Sequence, residues 1–150
     1  MMNIADYIDP QLVAFLEVES QTEAIDALID LLHKEGKLPD KEAFRKAIYH
    51  RESLVSTGIG MGVAIPHAKM SRLSEFFIAI GLQQQDKGLE WNALDKAPVR
   101  IVFLIGGPDN RQAEYLQILS HLTVSIKETE SRKKLLKAKT KEEVVEFFVG

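Results

Sequence analysis

Glu52-Ser53-Leu54-Val55-Ser56-Thr57-Gly58-Ile59-Gly60-Met61-Gly62-Val63-Ala64-Ile65-Pro66-His67-Ala68 is the junction on which the fold turns. Three glycines at alternate positions lead into a short apolar run. Pro66 biases Ile65 toward an extended backbone and offers no N–H to a sheet ladder. Residues 63–65 therefore read as a three-residue strand that stops at Pro66. A helical pattern lies just upstream and two strand-like runs lie downstream, so helix gives way to sheet here. The arrangement sets one imidazole, His67, on a fixed stalk at the mouth of a flexible small-residue loop. Such a setting suits a nucleophile that must meet a bulky anionic group.

Upstream, residues 12–18 read as a short strand. Ser20 followed three positions later by Glu23 forms a capping box that opens a helix over 21–35, with Ile25, Leu28, Ile29 and Leu32 on one face. Gly36 is the C-cap residue. Pro39-Asp40 starts a second helix, which turns Phe44, Ala47 and Ile48 inward and ends near His50 or Arg51.

Downstream, residues 75–82 and 99–105 are apolar at both alternating sets of positions, the mark of strands covered on both faces. They are joined without a helix, through Gly88 and Trp91. Gly106-Gly107-Pro108-Asp109-Asn110 breaks the chain before a helix striped by Tyr115, Ile118, Leu119, Leu122 and Ile126. Helices over 131–138 and 140–149 follow, the second opened by a Thr140/Glu143 capping box. The pattern predicts an α/β fold: a single three-layer domain over residues 1–150, with a mixed β-sheet of about five strands and helices on both faces.

Composition narrows the function. A chain of 150 residues with 45% hydrophobic and 27% charged residues is ordinary for a soluble globular protein. A net charge of -3 speaks against a general nucleic-acid binder. With no cysteine, disulfides, thiolate chemistry and cysteine-held zinc are excluded. The longest apolar runs are too short to span a bilayer, and the first residues do not read as a signal peptide. No GxGxxG, GK[ST] or HExxH pattern is present, so neither a nucleotide loop nor a dedicated zinc site is expected.

His67 is the candidate catalytic residue. A histidine with an ordinary pKa of about 6.5 is mostly neutral at pH 7 and can attack through one ring nitrogen. A backbone hydrogen bond at the other nitrogen would fix the tautomer and aim the ring. A phosphoryl group arriving there brings nearly two negative charges. Arg51, at the far end of the loop, offers a guanidinium fork to neutralise them, and Lys69 is a weaker candidate for that role. Ser56 and Thr57 supply hydroxyls, while Gly58 and Gly60 let a phosphoryl group approach the main chain. His33 and His50 read as solvated helix residues, His121 as a partly buried packing residue and Trp91 as core. The lysines from Lys133 to Lys141 read as a solvated face.

The segment from Arg51 to Ala68 resembles the active-site signature of enzyme IIA domains, type 2, of the bacterial phosphoenolpyruvate-dependent phosphotransferase system (the fructose, mannitol and nitrogen-regulatory group). In that signature an acidic or amide residue stands seven positions ahead of an apolar–Gly pair. Two free positions follow, then apolar–Ala–apolar–Pro–His–small. Glu52, Ile59-Gly60, Val63-Ala64-Ile65, Pro66, His67 and Ala68 fill every slot. The opening Ile4-Ala5-Asp6-Tyr7-Ile8 and the region Gly88…Trp91…Pro98-Val99 are also typical, so the resemblance covers nearly the whole length.

The resemblance implies a phosphocarrier. His67 would accept a phosphoryl group from a histidine-containing phosphocarrier protein and pass it to an EIIB partner for sugar uptake. Arg51 matches the family's active-site arginine. Tyr115 stands where many members carry a second histidine and is placed to bond a phosphoryl oxygen. No cofactor, metal, nucleic acid or membrane insertion is implied, and the location is cytoplasmic. A nitrogen-regulatory protein that controls other proteins through its phosphorylation state is the alternative, favoured by the lack of a fused EIIB or permease. A histidine-dependent hydrolase or ligand-binding domain is a further one.

Overall fold

The structure is a computed structural model that describes residues 2–149. Among these residues a six-stranded mixed sheet carries five helices. In chain order these are β1 (Val13–Leu16), α1 (Gln21–Lys34), α2 (Lys41–Leu54), β2 (Gly58–Gly60), β3 (Val63–Ala64), β4 (His67–Lys69), β5 (Phe77–Gln83), β6 (Ile101–Gly107), α3 (Gln112–Ile126), α4 (Thr129–Leu136) and α5 (Lys141–Phe148). Two single 3-10 turns, Ile4–Tyr7 and Pro10–Leu12, precede β1. The expected three-layer α/β arrangement is present, with six strands in place of about five.

The two long strands explain the layering. β5 and β6 pair antiparallel at the centre of the sheet. Successive side chains of a strand point to opposite faces, and here both faces are dry. Ile78, Ile80 and Leu82 of β5 and Ile101, Phe103 and Ile105 of β6 pack toward α3, α4 and α5. Phe77, Ala79, Val102 and Leu104 pack toward α1 and α2. β1 adds to β5 in parallel, on the edge away from the glycine-rich segment.

Both predicted helix starts are capped at Ser20 and Thr140: Glu23 N–H donates to Ser20 Oγ and Glu143 N–H to Thr140 Oγ1, each at 3.1 Å, while each glutamate carboxylate accepts from the capping hydroxyl and not from the N-cap N–H. α1 ends in a Schellman arrangement, with Gly36 N–H on His33 O and Lys37 N–H on Leu32 O, both at 3.0 Å. Glu35 is the C-cap and Gly36, at φ +74°, is the left-handed residue after it. α2 runs to Leu54, a turn beyond the expected end near Arg51, so Arg51 sits in the final turn of a helix. Asp26 of α1 locks α2 in place: Arg45 donates two bonds to it at 3.1 Å and the Tyr49 hydroxyl a third at 2.8 Å.

The glycine-rich stretch is an ordered hairpin, not a flexible loop. β2 and β3 pair antiparallel, with Gly58 opposite Ala64. Gly60, Met61 and Gly62 turn with φ of +93°, +63° and +76°. That run of left-handed residues is what the two flanking glycines are for. Asp95 seals the tip by accepting Met61 N–H at 2.9 Å.

The strand through residues 63–65 does not stop at Pro66. Val63 lies opposite Ile101 and His67 opposite Ile105, so β3 and β4 run along β6 in one parallel register. Pro66 costs the ladder a donor, but its carbonyl still accepts Ile105 N–H at 2.9 Å. The histidine is therefore a strand residue.

Candidate functional site

His67 and Lys69 occupy the same face of β4, two residues apart, and Ala68 between them enters the opposite core. They lie near the carboxyl ends of the parallel pair β4 and β6, the usual place for a site in an open α/β sheet. Tyr115, in the first turns of α3, covers this face. Its ring centroid is 5.4 Å from that of His67, with the planes inclined by 46°. Phe76 stacks on Tyr115, at 6.1 Å and 23°.

These rings fit because β6 ends in two glycines. A Cβ on Gly107 would stand 2.0 Å from Phe76, and one on Gly106 would stand 2.4 Å from Phe77. Gly106-Gly107 is the close of β6, where the sequence reads as a break.

His67 is half-buried, and its Nδ1 lies 2.9 Å from the carbonyl oxygen of Ile65. A carbonyl only accepts, so Nδ1 carries the hydrogen and donates it. Nε2 is left with its lone pair and, among the described residues, no hydrogen-bond partner. Burial is the main cause that holds the ring below the ordinary histidine value. The charges of Arg51 and Lys69 push the same way, while the Ile65 carbonyl and Glu52 oppose them. The ring is neutral at pH 7.

Arg51 comes to this group from α2. One guanidinium nitrogen donates to Val55 O at 2.7 Å, which anchors the arm, and among the described residues the fork makes no other hydrogen bond. Its charge is felt by both His67 and Tyr115. Lys69 Nζ sits 4.5 Å above the Tyr115 ring and donates to Gln112 Oε1. The Tyr115 phenol is pushed up to about 12 by burial, so it keeps its proton. Among the described residues its hydroxyl has no hydrogen-bond partner, although the ring is buried.

The structure thus brings together His67, Arg51, Tyr115 and Lys69. The other candidates serve the frame. Ser56 Oγ donates to Trp91 O at 2.7 Å and accepts Gly58 N–H at 3.1 Å. Thr57 Oγ1 donates to Glu52 at 2.5 Å and accepts the indole N–H of Trp91 at 3.2 Å. Gly58 and Gly60 face the segment from Trp91 to Asp95: a Cβ on Gly58 would meet Ala93 at 2.8 Å. His121 is exposed, contrary to the packing role read from its helical position; it stands beside the apolar stripe of α3, not in it. Trp91 is core as expected, and His33 and His50 are exposed.

Gln112 and Tyr7 were not legible as neighbours of the site. Tyr7 donates to Glu114, which also holds Arg111, and so ties the first 3-10 turn to the start of α3. Pairings that span 107 residues (Tyr7 to Glu114) and 43 residues (Lys69 to Gln112) leave no local pattern to read. Among the described residues no cluster of side chains is arranged to hold a metal ion, and no helix is long and apolar enough to cross a membrane.

Residues 6–149 match the family model for the phosphoenolpyruvate-dependent sugar phosphotransferase system, EIIA 2. The chain belongs to this EIIA family. EIIA proteins are phosphotransferase components. Over 132 residues the chain is 36% identical to the PTS system fructose-specific EIIABC component of Bacillus subtilis (strain 168), a match that covers 88% of this chain and 20% of that protein. The chain thus spans about a fifth of that relative's length. The crystal structure of nitrogen regulatory protein IIA-Ntr from Neisseria meningitidis superimposes with a TM-score of 0.88 at 26% identity, covering 97% of this chain and 99% of that one. Enzyme IIA mannitol from Escherichia coli, in its complex with phosphorylated enzyme IIB mannitol, shares the fold: TM-score 0.79 at 19% identity, over 93% and 95% of the two chains.

Proposed function

We propose that this EIIA domain is a cytoplasmic phosphocarrier for sugar uptake: Nε2 of His67 takes a phosphoryl group from a histidine-containing carrier protein and hands it to an EIIB partner. One observation carries the reading. The hydrogen bond from Nδ1 to Ile65 O leaves Nε2 as the nucleophilic nitrogen of a ring that rests against Tyr115 and feels the charge of Arg51.

The step needs no proton transfer. The Nε2 lone pair attacks the donor's phosphorus in line, through a loose transition state. A P–N bond forms to His67 while the donor's P–N bond breaks, and that electron pair returns to the donor's imidazole nitrogen. Positive charge grows on the His67 ring as the bond forms. The Ile65 carbonyl, already accepting Nδ1–H, holds that charge more strongly than it holds the neutral ring. The rest of the Arg51 guanidinium and the Tyr115 hydroxyl meet the phosphoryl oxygens. One P–N bond replaces another, so the relay runs in either direction and the partners set its course.

The EIIB role of the partner is supported by the EIIABC name of the Bacillus relative and by the mannitol complex of shared fold. A regulatory role of the nitrogen type is the second reading, and the close fit to the Neisseria protein favours it. Incubation with phosphoenolpyruvate, enzyme I and the carrier should add one acid-labile phosphate, and His67→Ala should abolish it. Undiminished labelling of that variant would reject the assignment. Onward transfer to a purified EIIB separates the transport reading from the regulatory one.

A further inference from the structure

We propose that Glu52 is a positioning residue for the imidazole: it withdraws a competing donor and so keeps the Ile65 carbonyl open for His67. The inference rests on the reading of His67 as phosphoacceptor.

The hairpin register carries the argument. β2 and β3 pair with Gly58 opposite Ala64, so one step outward Thr57 stands opposite Ile65. Facing residues in an antiparallel ladder at a hydrogen-bonded position exchange two bonds. Here the first forms: Ile65 N–H donates to Thr57 O at 3.0 Å. The second does not. Thr57 N–H donates to Glu52 Oε2 at 2.8 Å, and the Thr57 hydroxyl donates to Glu52 Oε1 at 2.5 Å. The carbonyl that Thr57 N–H would have filled instead accepts Nδ1–H of His67 at 2.9 Å. Thr57 is held there by Trp91 as well and is only 4% exposed, so it stays opposite Ile65 whether or not Glu52 is present.

Glu52 therefore acts on the ring through two residues, Thr57 and Ile65. Remove its acceptor, and Thr57 N–H can close the ladder on Ile65 O in competition with the imidazole. The ring then loses the bond that selects its tautomer, and part of the population carries its hydrogen on Nε2, where attack is blocked. Because the carboxylate serves as an acceptor in this role, glutamine, which keeps one carbonyl oxygen, should largely replace it.

The test compares Glu52→Leu, Glu52→Gln and the unmodified protein by nitrogen-15 NMR of the His67 ring and by the rate of phosphorylation from the phosphorylated carrier protein. The Leu variant should show a mixture of ring tautomers and transfer about ten-fold more slowly, the effect of one hydrogen bond to a charged group. The Gln variant should keep the Nδ1–H form and most of the rate. Equal behaviour of Leu and Gln, or a Leu variant with unchanged tautomer and rate, overturns the proposal. A variant-free check guards against a Leu protein that does not fold. In the unmodified protein, through-hydrogen-bond coupling should link Thr57 N–H to the Glu52 carboxylate carbon, and coupling to the Ile65 carbonyl carbon instead overturns it. The tautomer is read without any transfer, so a protein that accepts no phosphate defeats the functional reading alone.

Discussion

The imidazole of His67 rests against the ring of Tyr115, their centroids 5.4 Å apart. The contact strips water from one side of the histidine, and under the proposed phosphoryl transfer it makes Tyr115 the aromatic neighbour of the accepting ring. Much of the behaviour of this site follows from that pairing.

The first consequence is a pH dependence of stability. The folded-state pKa of His67 lies below the ordinary value of 6.5, chiefly through burial. Between the two values the unfolded chain binds a proton that the folded protein does not, so stability falls as pH drops through the window below 6.5 and is recovered above it. Urea denaturation of the protein and of His67→Gln, at about pH 7.5 and about pH 5, should show the protein losing stability relative to the variant at the lower pH. A difference that does not move with pH contradicts the burial argument.

Arg51→Ala should slow phosphoryl transfer by about 10²-fold, the usual cost of removing one charge-stabilising donor. It also frees Val55 O, so a stability loss of about 1 kcal/mol is expected. Arg51→Lys should recover part of the rate, since it restores the charge without the fork. Rapid-quench measurement of phosphate uptake checks the rate, and transfer undisturbed in the Ala variant would remove Arg51 from the mechanism.

Tyr115→Phe isolates the hydroxyl. Because that group has no hydrogen-bond partner among the described residues, its loss should leave the melting temperature within about 2 °C of the original. Transfer should slow by about ten-fold, the value of one hydrogen bond to an anionic oxygen. A variant that transfers at full rate assigns Tyr115 to packing alone.

Lys69→Met keeps the stem over the Tyr115 ring and deletes the charge. Lys69 helps to lower the His67 pKa, so this variant should titrate at a higher pH than the unmodified protein. The shift is read from the His67 ring protons by NMR titration. A fall, or no change, places the ammonium out of electrostatic reach.

Gly107→Ala tests the frame behind the site. The new methyl would stand 2.0 Å from the Phe76 ring, which itself stacks on Tyr115. Overpacking of this kind costs about 1–3 kcal/mol. A urea midpoint equal to that of the unmodified protein would show that Phe76 has room to move.

Much of this was written in short-range pattern. Caps at Ser20 and Thr140 mark helix starts because the bonds they make reach only three residues. The unbroken apolar runs of β5 and β6 announce a sheet covered on both faces. His67 and Arg51 stand out by their signature. What the sequence conceals are features set by pairing partners far along the chain. β4 continues β3 past Pro66 only because β6 offers its edge in the same register. Gly58 has no room for a side chain because Ala93 presses on it, a neighbour that lies 35 positions along the chain. Ser56 and Thr57 look like free hydroxyls in a loop, yet Trp91 and Glu52 claim both. His121 sits one position from the buried Leu122, and a single step around the helix is enough to put it in solvent.

In the proposed transfer, Nε2 of His67 receives the phosphoryl group while Nδ1 keeps its hydrogen on Ile65 O. The direct measurement is nitrogen-15 NMR of the phosphorylated protein, with the phosphorus coupling assigned to one ring nitrogen. Coupling at Nε2 of His67, with a protonated Nδ1, is the predicted result. A phosphate on Nδ1, or on any other residue, would contradict the account.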